Sequence, residues 1–68
     1  MGNDNSNKAN EESIARIREL TELLSRAARA YYAEDREIMS NLEYDRLYDE
    51  LVALERETGV VLAGSPTV

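Results

Sequence analysis

The chain has no cysteine and no histidine, and each absence removes a class of protein. Without cysteine there is no disulfide, so a small secreted scaffold is excluded. Without histidine, neither a Ser-His-Asp nor a Cys-His catalytic set can be assembled, and the His-containing zinc sites are excluded with them. These gaps matter because 68 residues bury little apolar surface, and a core of that size supplies only a few kcal/mol. We expect neither a metal site nor self-contained catalysis. Basic residues are also scarce: 8 Lys and Arg face 14 Asp and Glu, a formal net charge of −6. That balance opposes docking on phosphate backbones or anionic lipid, so direct nucleic-acid contact and membrane association are not expected. No run of about 18 apolar residues occurs, and Met1 to Asn10 lacks the apolar core of a signal peptide, so a soluble, cytoplasmic protein is expected. A Walker loop and a GxGxxG element are missing too.

Residues 1–10, MGNDNSNKAN, carry no aromatic or branched apolar side chain and read as a disordered leader. A different pattern begins at Glu11. Ile17, Leu20, Leu24, Ala27, Ala28 and Tyr31 recur at spacings of three and four, while Arg16, Glu19, Glu22, Arg26 and Arg29 lie mostly off that stripe. This predicts an amphipathic helix from Glu11 to about Ala33, with Glu12–Arg16 and Glu22–Arg26 as i,i+4 pairs on a solvated face. The segment Glu34 to Met39 breaks the period, and Ser40 with Glu43 then forms a capping box. A second helix is predicted from Asn41 to Thr58 with Tyr44, Leu47, Tyr48, Leu51 and Leu54 as its stripe, closed by Gly59 in a left-handed cap. The short connection makes an antiparallel two-helix hairpin, all-α, over 11–59. Residues 60–68 are expected to form an extended tail leading towards a further domain.

The four tyrosines are the entire aromatic content, and the hairpin brings Tyr31, Tyr32 and Tyr44 to its tip. Tyrosine faces attract cations, and Glu34, Asp35, Glu37, Glu43 and Asp45 surround them with negative potential. A flat cationic ring would therefore be favoured there. The free N–H groups of Asn41, Leu42 and Glu43 could accept a modest anionic handle. Each residue also has a simpler reading. Met39 and Tyr44 are placed as a hydrophobic staple, Tyr31 and Tyr48 lie on core stripes, and Asp45 suits the helix dipole. Taken without comparison, the residues support two functions: a ligand-binding tip, or an acidic module that dimerises through its Leu/Tyr stripe into a four-helix bundle.

The run from Ala30-Tyr31-Tyr32 through Glu43-Tyr44-Asp45-Arg46-Leu47-Tyr48 to Leu51, followed by Leu54-Glu55 and Ser65-Pro66-Thr67, resembles the N-terminal segment of bacterial NAD-dependent DNA ligases, called domain Ia. The resemblance extends from about Ile14 to Val68. It implies a domain that grips the nicotinamide mononucleotide half of NAD while a lysine on a separate adenylation domain attacks the adenylyl phosphorus, the first step of nick sealing in replication and repair. The cofactor so implied is NAD and the partner is the adenylation domain of the same ligase. By motif position the contact residues fall on Tyr31, Tyr32, Asn41, Tyr44 and Asp45. Tyr31 and Tyr44 would stack on and shape the nicotinamide pocket, Asp45 would meet ribose hydroxyls or the amide, and Tyr32 the phosphate. Two positions depart from the family pattern. Tyr32 stands where histidine is frequent and cannot bring a positive charge, and Asn41 stands where aspartate is usual, keeping an acceptor oxygen but losing the charge.

Overall fold

A computed structural model of the chain describes the backbone of residues 2–68 and the side chains of residues 10–68. The described residues form two helices, α1 (Gly2–Glu34) and α2 (Asn41–Thr58), and among them there is no strand. They pack as an antiparallel hairpin, as the two stripes predict. Ile17, Leu20 and Leu24 of α1 and Leu51 of α2 are fully buried, and Tyr44, Leu47, Tyr48 and Leu54 pack against them. The stripe spacing explains this directly, since residues three and four apart share one face of a helix. No helix among the described residues is long and apolar enough to cross a membrane.

The boundaries of α2 fall where the sequence puts them. Ser40 is extended (φ −72°, ψ 159°) and its hydroxyl accepts from the Glu43 amide at 3.1 Å, satisfying a donor the first helical turn would leave unpaired. At the other end Gly59 takes φ 75° and its N–H donates to the Glu55 carbonyl at 2.8 Å. A Cβ there would be strained in the left-handed region.

The start of α1 differs from the sequence expectation. Its helical backbone begins at Gly2 and not near Glu11. No proline interrupts residues 2–10, and once a helix is nucleated each added residue closes one more bond of the ladder. The side chains of the leader, up to residue 9, lie outside the described residues. The end of α1 holds a feature that composition did not announce: Asp35 adopts φ 53°, and the Arg36 N–H returns to the Ala30 carbonyl at 2.9 Å. Aspartate is among the few residues that tolerate this conformation, although glycine does so with less strain.

One further expectation is corrected. Arg16 does not belong to a merely solvated face paired with Glu12. Its Nε and Nη2 donate to the two Glu50 carboxylate oxygens at 2.7 and 3.0 Å, a forked bridge from one helix to the other. The tail over 60–68 has neither helix nor strand, and it is packed on the hairpin. Val60 and Leu62 pack on the core, Ser25 donates to the Gly64 carbonyl at 3.4 Å, and Ser65 is buried. Apolar residues in this stretch gain by covering the open edge of a two-helix core that has no third layer.

Candidate functional site

At the tip the two helices part around a cleft of about 280 Å³ lined by Ala27, Ala28, Tyr31, Tyr32, Glu37, Ile38, Met39, Asn41 and Tyr44. Its origin lies in the α1 stripe. Isoleucine and leucine fill that stripe as far as Leu24, and then Ala27 and Ala28 take the next two positions, leaving the space that larger side chains would occupy. The loop 35–40 and the first turn of α2 form the opposite wall.

Four of the five residues singled out in the sequence, Tyr31, Tyr32, Asn41 and Tyr44, border this one cleft. Asp45 is exposed and does not line it, although it follows Tyr44 directly in α2. Tyr31 is 54% exposed and Tyr32 84% exposed, so Tyr31 is not the core residue that its place on the stripe allowed. Their rings meet edge to face, with centroids 5.1 Å apart at 81°, a favoured aromatic geometry. Tyr44 is half-buried and packs against the core. Its ring lies 6.4 Å from that of Tyr48 at 27°, so Tyr48 backs it from the core side, where the sequence had placed Tyr48. A ring supported from behind presents a defined surface to whatever enters the cleft.

Burial raises the pKa of the Tyr44 phenol above its ordinary value, with added effects from Tyr48, Tyr32 and Asp45. The hydroxyl therefore stays protonated and can donate a hydrogen bond at any physiological pH. Glu37 is the one acidic side chain among the lining residues, and it makes the cleft hospitable to a cation. The anionic handle has fewer donors than expected, because the Glu43 N–H is held by Ser40. Ala27, Ala28, Ile38 and Met39 are lining residues that the sequence reading did not assign to the site. The signal for the first two was present in the change from leucine to alanine along one helix face. A volume near 280 Å³ stands at the lower edge of ligand pockets, roughly 300–1,000 Å³, and suits part of a nucleotide better than a whole dinucleotide.

A helical hairpin with an aromatic, anionic cleft at its tip and a sealed core behind it defines a small α-helical recognition domain. A family model described as "DNA ligase-like, N-terminal NAD+-binding domain" matches residues 10–68, and the chain belongs to that family. It is 75% identical over 52 residues to a DNA ligase of Lachnoclostridium phytofermentans, covering 76% of this chain and 8% of that protein. It is 58% identical over 57 residues to a DNA ligase of Ruminiclostridium cellulolyticum, covering 84% of this chain and 9% of that one. A Clostridium tetani DNA ligase is 54% identical over 57 residues, again 84% of this chain and 8% of the relative. The chain thus spans less than a tenth of the length of these curated relatives. No solved structure matches it. NAD, the cofactor that the resemblance implies, is the one the family description names.

Proposed function

We propose that this domain binds the nicotinamide mononucleotide half of NAD in the tip cleft, and thereby promotes adenylation of a lysine on the adenylation domain of the same DNA ligase during replication and repair. The observation that carries this reading is the convergence of Tyr31, Tyr32, Asn41 and Tyr44 on a single cleft that also holds Glu37. Tyrosine faces and a carboxylate together attract the cationic nicotinamide ring, and the Tyr44 hydroxyl is available as a donor to its amide or ribose. Asp45, exposed and next to Tyr44 in α2, would serve the ribose hydroxyls. In the step so promoted, the lysine amine forms a P–N bond to the adenylyl phosphorus as the pyrophosphate P–O bond breaks. The electron pair leaves on the mononucleotide oxygen, and the amine gives up a proton. The role of the hairpin is to hold the leaving half in line, where interaction at a remote group lowers the barrier at the reacting centre.

The rival reading, dimerisation into a four-helix bundle, needs a free apolar stripe. The stripe residues Ile17, Leu20, Leu24 and Leu51 are already fully buried within one hairpin.

The test is mass spectrometry of a ligase adenylation domain that lacks its own hairpin, incubated with NAD with and without this chain. We expect an AMP-sized gain in mass only when the chain is present, and its loss with Tyr44→Ala. No gain from a chain shown by circular dichroism to be helical would refute the reading.

A further inference from the structure

The end of α2 distant from the cleft contains an arrangement that the cofactor-binding role does not use. Glu55 is a charged residue only 8% exposed, separated from Asn41 by about 20 Å of helix. Both of its carboxylate oxygens are engaged by the tail. Ser65 donates to Oε2 at 2.7 Å and Thr67 to Oε1 at 2.5 Å. The two hydroxyls lie 2.9 Å from each other, and the Thr67 amide donates to the Ser65 hydroxyl at 3.2 Å. Pro66 stands between them with its φ fixed, and the Val68 N–H closes a turn on the Ser65 carbonyl at 3.3 Å. The Glu55 backbone carbonyl also holds the cap at Gly59. One residue therefore fixes both the end of the helix and the path of the chain beyond it.

Anchoring alone would not require this chemistry. Val60 and Leu62 already attach the tail to the core, and burying a carboxylate is unfavourable unless every lone pair is answered. Apolar contact is non-directional, whereas a hydroxyl–carboxylate bond has a set length and angle. The property that the Glu55–Ser65–Thr67 ring adds is direction. In a family whose domain is N-terminal, that direction is the one in which the remainder of the ligase is attached.

We propose that Glu55 is a positioning residue for adenylation: by clamping Ser65 and Thr67 it fixes the angle at which the chain leaves the hairpin, and so confines the tip cleft to the arc that closes over bound NAD. This inference rests on the cofactor-recognition reading above. A tether that is ordered up to its exit point holds the cleft near the reacting half at high effective concentration. Releasing Ser65 and Thr67, so that only the Ser25–Gly64 contact holds the chain beyond Leu62, spreads the hairpin over orientations that do not close.

The experiment uses a full-length ligase bearing this domain at its N-terminus. Self-adenylation is followed in single turnovers across NAD concentrations for Glu55→Ala, Glu55→Gln, Thr67→Val and Tyr44→Ala. Inhibition by free nicotinamide mononucleotide and thermal melting are measured beside it. We expect Glu55→Ala and Thr67→Val to lower the rate at saturating NAD on the order of tenfold, with KM, mononucleotide inhibition and melting close to wild type. Glu55→Gln should recover most of the rate, because an amide accepts from one hydroxyl while donating to the other. Unchanged rates in Glu55→Ala and Thr67→Val would overturn the proposal. So would a loss confined to Glu55→Ala and matched by a fall in melting temperature, which would make Glu55 a residue of the fold alone. Tyr44→Ala separates the two ideas, since it must weaken mononucleotide inhibition. If it does not, the cofactor-recognition reading itself has failed.

Discussion

The two ends of the hairpin are built from similar materials and treat them in opposite ways. At the tip, aromatic and acidic groups stand open: Tyr31 and Tyr32 are more than half exposed, Glu37 faces a cleft, and the Asp35 backbone takes a left-handed turn. At the far end the polar groups are closed on one another, with Glu55 answered by two hydroxyls. Between them lies a core of four fully buried aliphatic side chains. In a chain too small for separate layers, the candidate binding cleft and the stabilising contacts are thus divided along the length of two helices. The division is set by where the stripe changes from leucine to alanine.

That contrast can be broken most severely from the core. Leu51 is the α2 residue on which Ile17, Leu20 and Leu24 converge, and Leu51→Ala should destabilise the fold by about 2–5 kcal/mol. For a domain of this size that approaches the whole of its stability. We expect the variant to lose cooperative unfolding in urea when followed by helical circular dichroism. Retention of a wild-type transition would mean that the two helices do not depend on each other. The complementary change is made at the tip. Ala28 lines the cleft and is half-buried, so Ala28→Leu should fill it, reducing affinity for nicotinamide mononucleotide at least about tenfold, or ~1.4 kcal/mol. Helical signal should be unaltered, because leucine propagates a helix nearly as well as alanine. Calorimetric titration checks the affinity, and unchanged binding would place the ligand elsewhere.

The fold was legible because its signals are local. Ser40, Glu43 and Gly59 mark the limits of α2 through caps that need no tertiary context, and the spacing of Ile17, Leu20 and Leu24 identifies the face that must be covered. What escaped depends on groups distant in sequence. The Arg16–Glu50 bridge joins residues 34 apart, and the Glu55 clamp gathers a tail that, read locally, is only a short apolar stretch with a proline. Asp35 escaped for another reason: aspartate is tolerated in a left-handed turn without being a marker of one. The candidate site lay between these cases. Its tyrosines were legible by motif and by their place at the tip, whereas Ala27 and Ala28 became meaningful only once α2 stood opposite them and left a space.

A smaller effect sharpens the middle of the comparison. Thr21 is 7% exposed, and its hydroxyl has no hydrogen-bond partner among the described residues. It is a polar group in the apolar section of α1 that neither end requires. Thr21→Val removes the unsatisfied hydroxyl with little change in volume and should stabilise the domain by about 1 kcal/mol, visible as a higher urea midpoint with the same slope. An unchanged or lower midpoint would show that the hydroxyl is satisfied in solution. Mononucleotide affinity should not move, since Thr21 does not line the cleft.

The smallest expected effect concerns the bridge between the helices. Hydrogen bonding from Arg16 holds the Glu50 carboxyl below its ordinary value of 4.5, against a smaller opposing effect of burial and with help from the charge attraction. A carboxylate whose folded pKa is depressed contributes stability above its unfolded pKa, and loses it as pH falls through the folded one. The contribution is therefore present at neutral pH and fades below about 4.5. Arginine stays charged throughout and adds no titration of its own. Both side chains are about 40% exposed, so solvent screens the pair and the expected contribution is only ~0.5 kcal/mol. Glu50→Gln should accordingly lower the urea midpoint slightly at pH 7, with the difference narrowing as pH falls below about 4.5 and the pH 7 difference shrinking in 1 M salt. A difference that persisted unchanged at pH 3 would mean that Glu50 acts through packing of its stem and not through its charge. The bridge would then belong with the apolar core and not with the charged clamp beyond it.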